Sequence, residues 1–290
     1  MIAPADEGRH HGGSGFADAV TFAWADAGAE LYGFARLGIA NGQGSVLAVL
    51  FSGREPVAAV ARGGLELGAD AGWDALALGG VEARIDMPLE AWTLAADVEE
   101  SRVDLRFEAT GGPAAIDDGH PLARAGGMAG YEQPCRVCGS VTVAGRRAEV
   151  RCTGQRGHQW GAPDWERIAL ARTVTLWLDD GAGVALSAVR PAKASDHAGE
   201  AVWAALLGPE GAEPVADPRL STTYDEDGRQ RRAGLELWVH DDDPYPQRAT
   251  GEVLCGSTLD LGQLRLDCAF FGWRVDGRDA IGRYDLLRRT

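Results

Sequence analysis

The segment GQRGHQWGAPDW, residues 154–165, brings ionisable and aromatic side chains together within a few positions. His158 can exchange protons near neutral pH. The carboxylate of Asp164 becomes harder to form if indole rings exclude water from it. Trp160 and Trp165 can offer their π-faces to a cationic reaction intermediate. These residue types suit acid–base chemistry, so we assign His158 and Asp164 as candidate catalytic residues.

A structural role is the alternative explanation of this segment. His158 and Asp164 would then satisfy buried backbone groups at a junction between two domains, and the sequence leaves this alternative open. On an extended backbone His158 and Trp160 share one face, while Gln159 points away. We expect His158 and Trp160 to face a ligand pocket. Asp164 follows the corner at residues 161–163, which leaves its direction unspecified.

The cysteines raise the question of a zinc site. Cys135, Cys138, Cys152 and His158 would make a Cys3His set, which zinc requires in tetrahedral arrangement. The alternating sequence after Cys138 predicts a strand, and residues three apart on a strand point to opposite faces. The sequence also lacks the GxGxxG, P-loop and GxSxG patterns. We therefore predict that the protein needs neither a metal nor an organic cofactor, and that its five cysteines are reduced thiols.

Alternation of apolar and polar residues dominates the rest of the chain. In RVDLRFEA, for example, Val103, Leu105 and Phe107 share one face of a strand. Comparable runs, each bounded by turn residues, are SVLAVLFSG, EARIDMPLEAWTLAADV, GSVTVAG, RAEVRC, ARTVTLWLDDG, GVALSAVRP, GLELWVHDD, ATGEVLCGS and QLRLDCAFFGWRVDG. Many short strands with glycine-rich turns predict an all-β protein of antiparallel sandwich or barrel type.

The domain boundary is predicted where GAPDW interrupts the strand pattern and RIALARTVTLWL restarts it. We expect an N-terminal domain over residues 1–164 and a C-terminal domain over residues 165–290, each with the same architecture. The segments 70–80 and 199–208 fit either a short helix or a strand. The glycine-rich start that carries His10 and His11 is expected to be disordered or loosely docked.

Composition limits the partners. The net charge of -15 and the pI near 4.8 disfavour nucleic acid and anionic membrane surfaces, both of which require clustered Lys and Arg. No apolar run is long enough for a membrane helix, and the start of the chain is unlike a secretory signal. We expect a cytoplasmic protein.

The block GYEQPCRVCGSVTVAGRRAEVRCTGQRGHQWGAPDW, residues 130–165, resembles the two-domain lipocalin-like superfamily of carotenoid hydratases (hydroxyneurosporene synthase) and AttH-like proteins. Fungal lipocalin-like Diels–Alderases share this architecture. The matching positions are Tyr131, Gly139, Val141, Val143, Gly145, Gly154, His158, Trp160, Gly161, Asp164 and Trp165. The resemblance implies two lipocalin-like antiparallel β-barrels or half-barrels, with a ligand pocket inside or between them.

Two positions depart from the hydratase pattern. The acidic residue expected just before the His/Arg position is Gly157 here, and an arginine expected before the later Asp-Trp pair is Pro163. Hydratase activity therefore cannot simply be carried over. Taken with the resemblance, the sequence predicts cofactor-independent acid–base chemistry, alkene hydration or cyclisation. The expected partner is a neutral hydrophobic small molecule, isoprenoid-, steroid- or polyketide-like, in contact with Trp160, Trp165, Tyr131 and Glu132. The alternatives are a non-catalytic binder and a pericyclase that acts by orienting its substrate.

Overall fold

The computed structural model describes residues 2–68, 70–194 and 196–290. The protein is all-β, with 67% of residues in strands and 5% in helices, against about a quarter in strands for an average globular protein. Its helical elements are α1 (Pro121–Gly126) and two short 3-10 segments, Pro4–Glu7 and His197–Gly199. The predicted all-β, antiparallel fold class is confirmed.

Eleven strands form the first sheet, in the order β4-β3-β2-β1-β11-β10-β8-β7-β6-β5, with β9 paired to β10. Every pairing is antiparallel, and the longest is the hairpin of β10 and β11. The strands are β1 (Ala17–Asp26), β2 (Leu31–Ala40), β3 (Gln43–Ser52), β4 (Glu55–Glu66), β5 (Leu76–Leu78), β6 (Val81–Met87), β7 (Ala91–Val98), β8 (Ser101–Ala109), β9 (Ala114–Ile116), β10 (Met128–Val143) and β11 (Arg146–Gly161).

Nine strands form the second sheet, in the order β15-β14-β13-β12-β20-β19-β18-β17-β16. They are β12 (Ile168–Trp177), β13 (Gly183–Pro191), β14 (Ala201–Gly208), β15 (Gly211–Pro214), β16 (Asp217–Tyr224), β17 (Gln230–Trp238), β18 (Gln247–Asp260), β19 (Leu264–Val275) and β20 (Arg278–Arg289). Apart from β5 and β9, which have no counterpart in the second sheet, the two sheets have the same order of strands. One sheet is a nearly closed barrel and the other a half-barrel.

The segment between the two sheets lies where the sequence pattern breaks. The first sheet ends with β11 at Gly161 and the second begins with β12 at Ile168. The exact division at residues 164 and 165 remains a prediction. Both segments that fitted a helix or a strand contain strands, β5 and β14.

Each sheet encloses an apolar core on one face. Alternate residues of β1, including Val20, Phe22 and Trp24, point into the first core, and alternate residues of β12, including Val174 and Leu176, point into the second. The opposite faces of the two sheets pack against each other. That interface cluster consists of Ala23, Ala25, Tyr32, Phe34, Val49 and Phe51 of the first sheet with Trp177, Cys255, Leu259, Leu266, Cys268 and Phe270 of the second.

The N-terminal segment is docked inside the first barrel, so the expectation of a disordered or loosely attached start is wrong. Glu7 is 1% exposed and forms an ion pair with the equally buried Arg156. Its carboxylate also accepts hydrogen bonds from the Tyr131 hydroxyl, the Trp92 indole and the Leu89 amide. Burial alone would raise the pKa of Glu7, but the charge of Arg156 and these hydrogen bonds hold it below its ordinary value.

His10 continues the attachment of the same segment. Its ring stacks on Trp160 with the ring centroids 3.8 Å apart, and its amide donates to the Asp18 carboxylate at 2.9 Å. His11 is exposed. Within the described residues, no helix has the length and apolar character needed to cross a bilayer.

We predict that Glu7→Gln lowers the free energy of unfolding by about 3 kcal/mol or more, because it leaves the Arg156 guanidinium buried without a counter-charge. Urea unfolding followed by tryptophan fluorescence measures this effect. Glu149→Gln removes a carboxylate from the exposed Arg147–Glu149 pair and should change stability by less than about 1 kcal/mol. Equal effects of the two substitutions would contradict the role given to Glu7.

Candidate functional site

Strand β11 separates two environments through the alternation of its side chains. Arg156, His158 and Trp160 point into the first barrel, where they contact aromatic rings of its interior. Gln155, Gly157 and Gln159 point the other way, towards a cavity between the two sheets. The prediction that His158 and Trp160 share a face while Gln159 points away therefore agrees with the structure. The cavity between the sheets, however, lies on the Gln159 side.

His158 belongs to a buried hydrogen-bond network inside the first barrel. It is fully buried, and its Nε2 lies 2.6 Å from Oδ1 of Asp18. The other oxygen of Asp18 accepts from the Trp73 indole and from the amide of His10. His158 thus satisfies a buried polar group, as in the structural role that is the alternative to catalysis for this segment. Its partner, however, is a carboxylate on the neighbouring strand β1.

Trp160 and Tyr131, which the sequence assigns to ligand binding, lie on this same interior face. Trp160 stacks on His10 and meets His158 edge-on, with ring centroids 5.2 Å apart. Tyr131 is fully buried and donates its hydroxyl hydrogen to Glu7. Side chains fill this interior and leave a residual cavity of about 40 Å³ beside Trp24. These two aromatic residues therefore support the first barrel in the structure.

The cavity between the sheets has a volume of about 580 Å³, within the range of small-molecule sites. Its walls come from both sheets, from α1 and from the connecting segment. Apolar side chains make up much of its lining: Phe34, Leu47, Ile116, Leu122, Met128, Trp165, Ile168, Leu261, Leu264, Leu266 and Leu287. Glu132 and Trp165, both assigned to ligand binding from the sequence, lie on this cavity.

Glu132 reaches the cavity because a glycine faces it across the hairpin. Glu132 on β10 is paired with Gly157 on β11. A Cβ atom at position 157 would lie 2.5 Å from Oε2 of Glu132, so the carboxyl group occupies the space above the glycine. Any larger residue at 157 would have to displace this carboxyl group. The position where the hydratase resemblance implies an acid is thus filled by an acid from the next strand.

Two glutamines hold the carboxyl group of Glu132. Gln155 donates to its Oε2 at 2.8 Å, and Gln159 approaches its Oε1 at 3.5 Å. The carbonyl oxygen of Gln155 accepts from the indole of Trp177 on the second sheet, at 3.1 Å. That bond turns the amide nitrogen of Gln155 towards Glu132. The position of the acid therefore depends on both sheets.

The environment of Glu132 favours its protonated form. Burial raises the pKa of Glu132 to about 7, although the hydrogen bond from Gln155 and the positive charge of Arg283 act in the opposite direction. Arg283 itself is buried, pairs with Asp285, and lies with its guanidinium carbon 3.6 Å from the centroid of the Phe34 ring. Glu132 thus combines a raised pKa with a place on a cavity, which is typical of functional acids.

The structure does not bring Asp164 to this acid. Asp164 is exposed, and its Oδ1 accepts a hydrogen bond from the Glu166 amide in the turn between the sheets. His158 and Glu132 are on opposite faces of the hairpin. Of the residues assigned from the sequence, Glu132 and Trp165 share the cavity, whereas His158, Trp160 and Tyr131 cluster inside the first barrel.

Sequence reasoning missed the cavity residues Arg36, Gln155, Gln159 and Arg283. One signal was present, since Gln155 and Gln159 alternate with His158 and Trp160 and therefore had to line the opposite face. The importance of that face depends on strand pairing and on packing between the sheets. Neither can be derived from the spacing within one segment.

The cysteines are separated in the way that the strand pattern predicts. All five thiols are free. Cys135 is buried in the first core, while Cys138, three residues later on β10, points to the other face. Across the described residues, no group of three or more His, Cys, Asp or Glu side chains is arranged to hold a metal ion.

A second cavity of about 980 Å³ lies along β16 to β20. Its ionisable side chains include Arg232, which pairs with Glu252, and Arg274, which pairs with Asp279. All four side chains are more than half exposed, so these charges are well solvated. The cavity between the sheets is therefore the better candidate for chemistry.

A family profile described as "Domain of unknown function (DUF7064)" matches residues 3–289, which include both sheets and the cavity between them. The chain belongs to this family. No functionally curated protein matches it. The DUF7064 match includes the N-terminal segment that carries Glu7, as well as β20, which carries Arg283.

Solved structures with the same fold include a putative AttH from Nitrosomonas europaea, with a TM-score of 0.70, 14% identity, and coverage of 99% of this chain and 96% of that one. CghA in complex with Sch210972 has a TM-score of 0.65 and 11% identity, with coverage of 95% of this chain and 89% of that one. Kievitone hydratase from Nectria haematococca has a TM-score of 0.62 and 12% identity, with coverage of 94% of this chain and 89% of that one. The resemblance to the two-domain lipocalin-like superfamily is confirmed at the level of fold, which is what identities this low can show.

The raised pKa of Glu132 predicts a pH-dependent effect on stability. Between its ordinary pKa of 4.5 and the folded value of about 7, the folded protein keeps a proton that the unfolded chain releases, so stability falls as the pH rises through this window. Glu132→Gln removes this effect. Relative to the wild type, the variant should gain thermal stability as the pH is raised from about 5 to about 8.

Differential scanning calorimetry across this pH range measures the gain, with Glu149→Gln as a control for the loss of one exposed carboxylate. A melting-temperature difference between Glu132→Gln and the wild type that does not change with pH would show that Glu132 ionises normally in the folded protein.

Proposed function

We propose that this DUF7064 protein is an enzyme that protonates an alkene in a hydrophobic ligand, with Glu132 as the general acid, and so hydrates or cyclises it. The observation that carries the proposal is a carboxyl group with a pKa near 7 on an apolar cavity of about 580 Å³. A general acid works best when its pKa lies near the working pH. The ligand class is isoprenoid-, steroid- or polyketide-like, as the apolar lining suggests.

In the proposed reaction the Glu132 O–H bond breaks as a C–H bond forms at one alkene carbon, which leaves a carbocation and a carboxylate. For hydration, the oxygen of a water molecule then attacks the cation, and the proton that it loses returns to Glu132. For cyclisation, a second double bond attacks the cation, and loss of a neighbouring proton restores the acid. The indole of Trp165 on the cavity wall can stabilise the positive charge.

The Glu132–Gly157 contact supports this assignment. The resemblance to hydratases implies an acid at position 157, where this chain has a glycine. The carboxyl group of Glu132 occupies the space above that glycine. An acid from β10 can therefore act where the family pattern has one on β11.

One comparison and one energetic argument favour a protonating enzyme over a passive binder. Kievitone hydratase is named for a hydration. A purely passive binder would also gain nothing from an acid whose burial costs stability. A pericyclase, which requires no proton transfer and acts by orienting its substrate, is the second candidate, because the same cavity could template such a reaction with Glu132 as a hydrogen-bond donor.

Turnover tests the proposal directly. The purified protein is incubated in ¹⁸O-labelled water with a panel of isoprenoid, steroid and polyketide alkenes, and mass spectrometry detects products heavier by one labelled water or isomers with new retention times. Glu132→Gln should lower kcat by about 10² or more. Glu149→Gln, on the same hairpin but exposed, should leave the rate unchanged. A full rate in Glu132→Gln would reject Glu132 as the acid.

The protonation state of Glu132 predicts the pH profile. Since only the protonated carboxyl group can donate, kcat/KM should fall about tenfold per unit of pH above about 7. A steady-state profile between about pH 5 and 9 measures this decline. A rate that rises through this range would indicate a base in place of an acid.

The same assay distinguishes Glu132 from His158 and Asp164. His158→Ala should lower the melting temperature, because it leaves the Asp18 carboxylate buried without its partner, yet the folded fraction should retain most of its kcat. Asp164→Asn should change neither stability nor rate greatly. Loss of about 10² in kcat with an unchanged melting temperature in either variant would instead support the catalytic roles that the sequence suggests for these residues.

A further inference from the structure

Arg36 is a charged residue that the proposed reaction does not use. It lies on β2 and points into the cavity between the sheets. Its Nη1 lies over Gly38, 3.3 Å from the position that a Cβ atom would take there. Within the described part of the chain, its guanidinium has no ion pair and no hydrogen bond to a side chain or to the backbone.

Two other arginines on this cavity are buried, and both are paired: Arg172 with Glu200, and Arg283 with Asp285. Arg62, on the same cavity, is exposed, whereas Arg36 is partly buried. Desolvation lowers the pKa of Arg36 from its ordinary value, although the charge of Asp18 acts in the opposite direction. A guanidinium is costly to remove from water without a counter-charge. An unpaired one on an apolar cavity is therefore expected to have a partner that is not part of this chain.

Arg36 and the acid lie in one row across the sheet. Cross-strand pairing connects Arg36 to Thr21, Thr21 to Gly157, and Gly157 to Glu132. Adjacent strands lie about 4.8 Å apart, so the two ends of this row are separated by about 15 Å between Cα atoms. The residues between them are small, which leaves open space along the row. Glu132 leans over Gly157, towards the Arg36 end.

We propose that Arg36 binds an anionic group of the ligand, so that the substrate is an amphipathic organic acid, such as an isoprenoid or polyketide carboxylate, held by its acidic end at Arg36 with its alkene at Glu132. This inference deepens the proposed function and rests on it for the role of the alkene. A guanidinium binds a carboxylate through two parallel, charge-assisted hydrogen bonds.

The charge balance of the reaction supports an anionic ligand. An anion at Arg36 also cancels the repulsion between its guanidinium and the carbocation that forms beside Glu132 in the same cavity. A neutral hydrocarbon ligand would leave the charge of Arg36 without a partner.

Retinoic acid and retinol form a matched pair of probes. They share a polyene chain, which ends in a carboxylate in retinoic acid and in an alcohol in retinol. Binding is followed near pH 8 by quenching of tryptophan fluorescence, to which Trp165 on the cavity wall contributes. The wild type should bind retinoic acid about tenfold to a hundredfold more tightly than retinol, as expected for a charge-assisted pair. Equal affinities, or no binding of either probe, would overturn the proposal.

Arg36→Gln should abolish this preference and leave the affinity for retinol within about twofold of the wild type. Its melting temperature should be unchanged or higher, because the substitution removes a charge without a partner, and retained retinol binding shows that the cavity is intact. Arg54→Gln, in the exposed turn between β3 and β4, is the control for net charge and should keep the preference. Retention of the preference in Arg36→Gln would also overturn the proposal.

The outcome is independent of the catalytic claim, since both probes report binding without turnover. If the acid preference is absent but Glu132-dependent turnover of a neutral alkene is found, the proposed function stands and the role of Arg36 is rejected. If the preference is present and no alkene is turned over, Arg36 is the anion site of a binding protein.

Discussion

The site depends on the contact between the carboxyl group of Glu132 and the bare backbone of Gly157. Because position 157 has no side chain, the acid can lie flat over β11, where two glutamines reach it and a cavity opens above it. The indole of Trp177, from the second sheet, orients Gln155. The position of the acid is therefore coupled to the packing of the two sheets.

The first domain contains two buried glutamates with opposite properties. Glu7 lies against Arg156 and remains ionised, with its pKa below the ordinary value. Glu132 is surrounded mainly by neutral amides and apolar groups, so burial dominates and its pKa rises to about 7. The ionised glutamate anchors the N-terminal segment in the barrel, whereas the protonated one lies on the ligand cavity. The two faces of the hairpin thus separate a structural network from a chemical one.

Much of the fold could be predicted from the sequence, because a strand with one buried and one exposed face alternates visibly. The ten runs identified by alternation all contain strands of the structure. Strands β1 and β2 show no such alternation, because one face of each lies in the first core and the other lies against the second sheet. Burial on both faces removes the alternation. These are the strands that carry Thr21 and Arg36.

The candidate site was harder to predict for a related reason. The most conspicuous residues of the segment 154–165, His158 and Trp160, pack together inside the first barrel, while the less conspicuous Gln155, Gly157 and Gln159 line the cavity. Glu132 was included among the ligand-binding residues, but its role as an acid follows from its pairing with Gly157 and from burial by a domain that begins more than thirty residues later. Neither the pairing nor the burial can be derived from composition or local spacing.

A carbon-13 NMR titration of the glutamate side-chain carboxyl groups tests the central claim most directly, with Glu132→Gln used to assign the resonance that disappears. This resonance should titrate with a midpoint near 7. A midpoint at or below the ordinary value of 4.5 would contradict it, because Glu132 would then be an ionised carboxylate at neutral pH with no proton to donate.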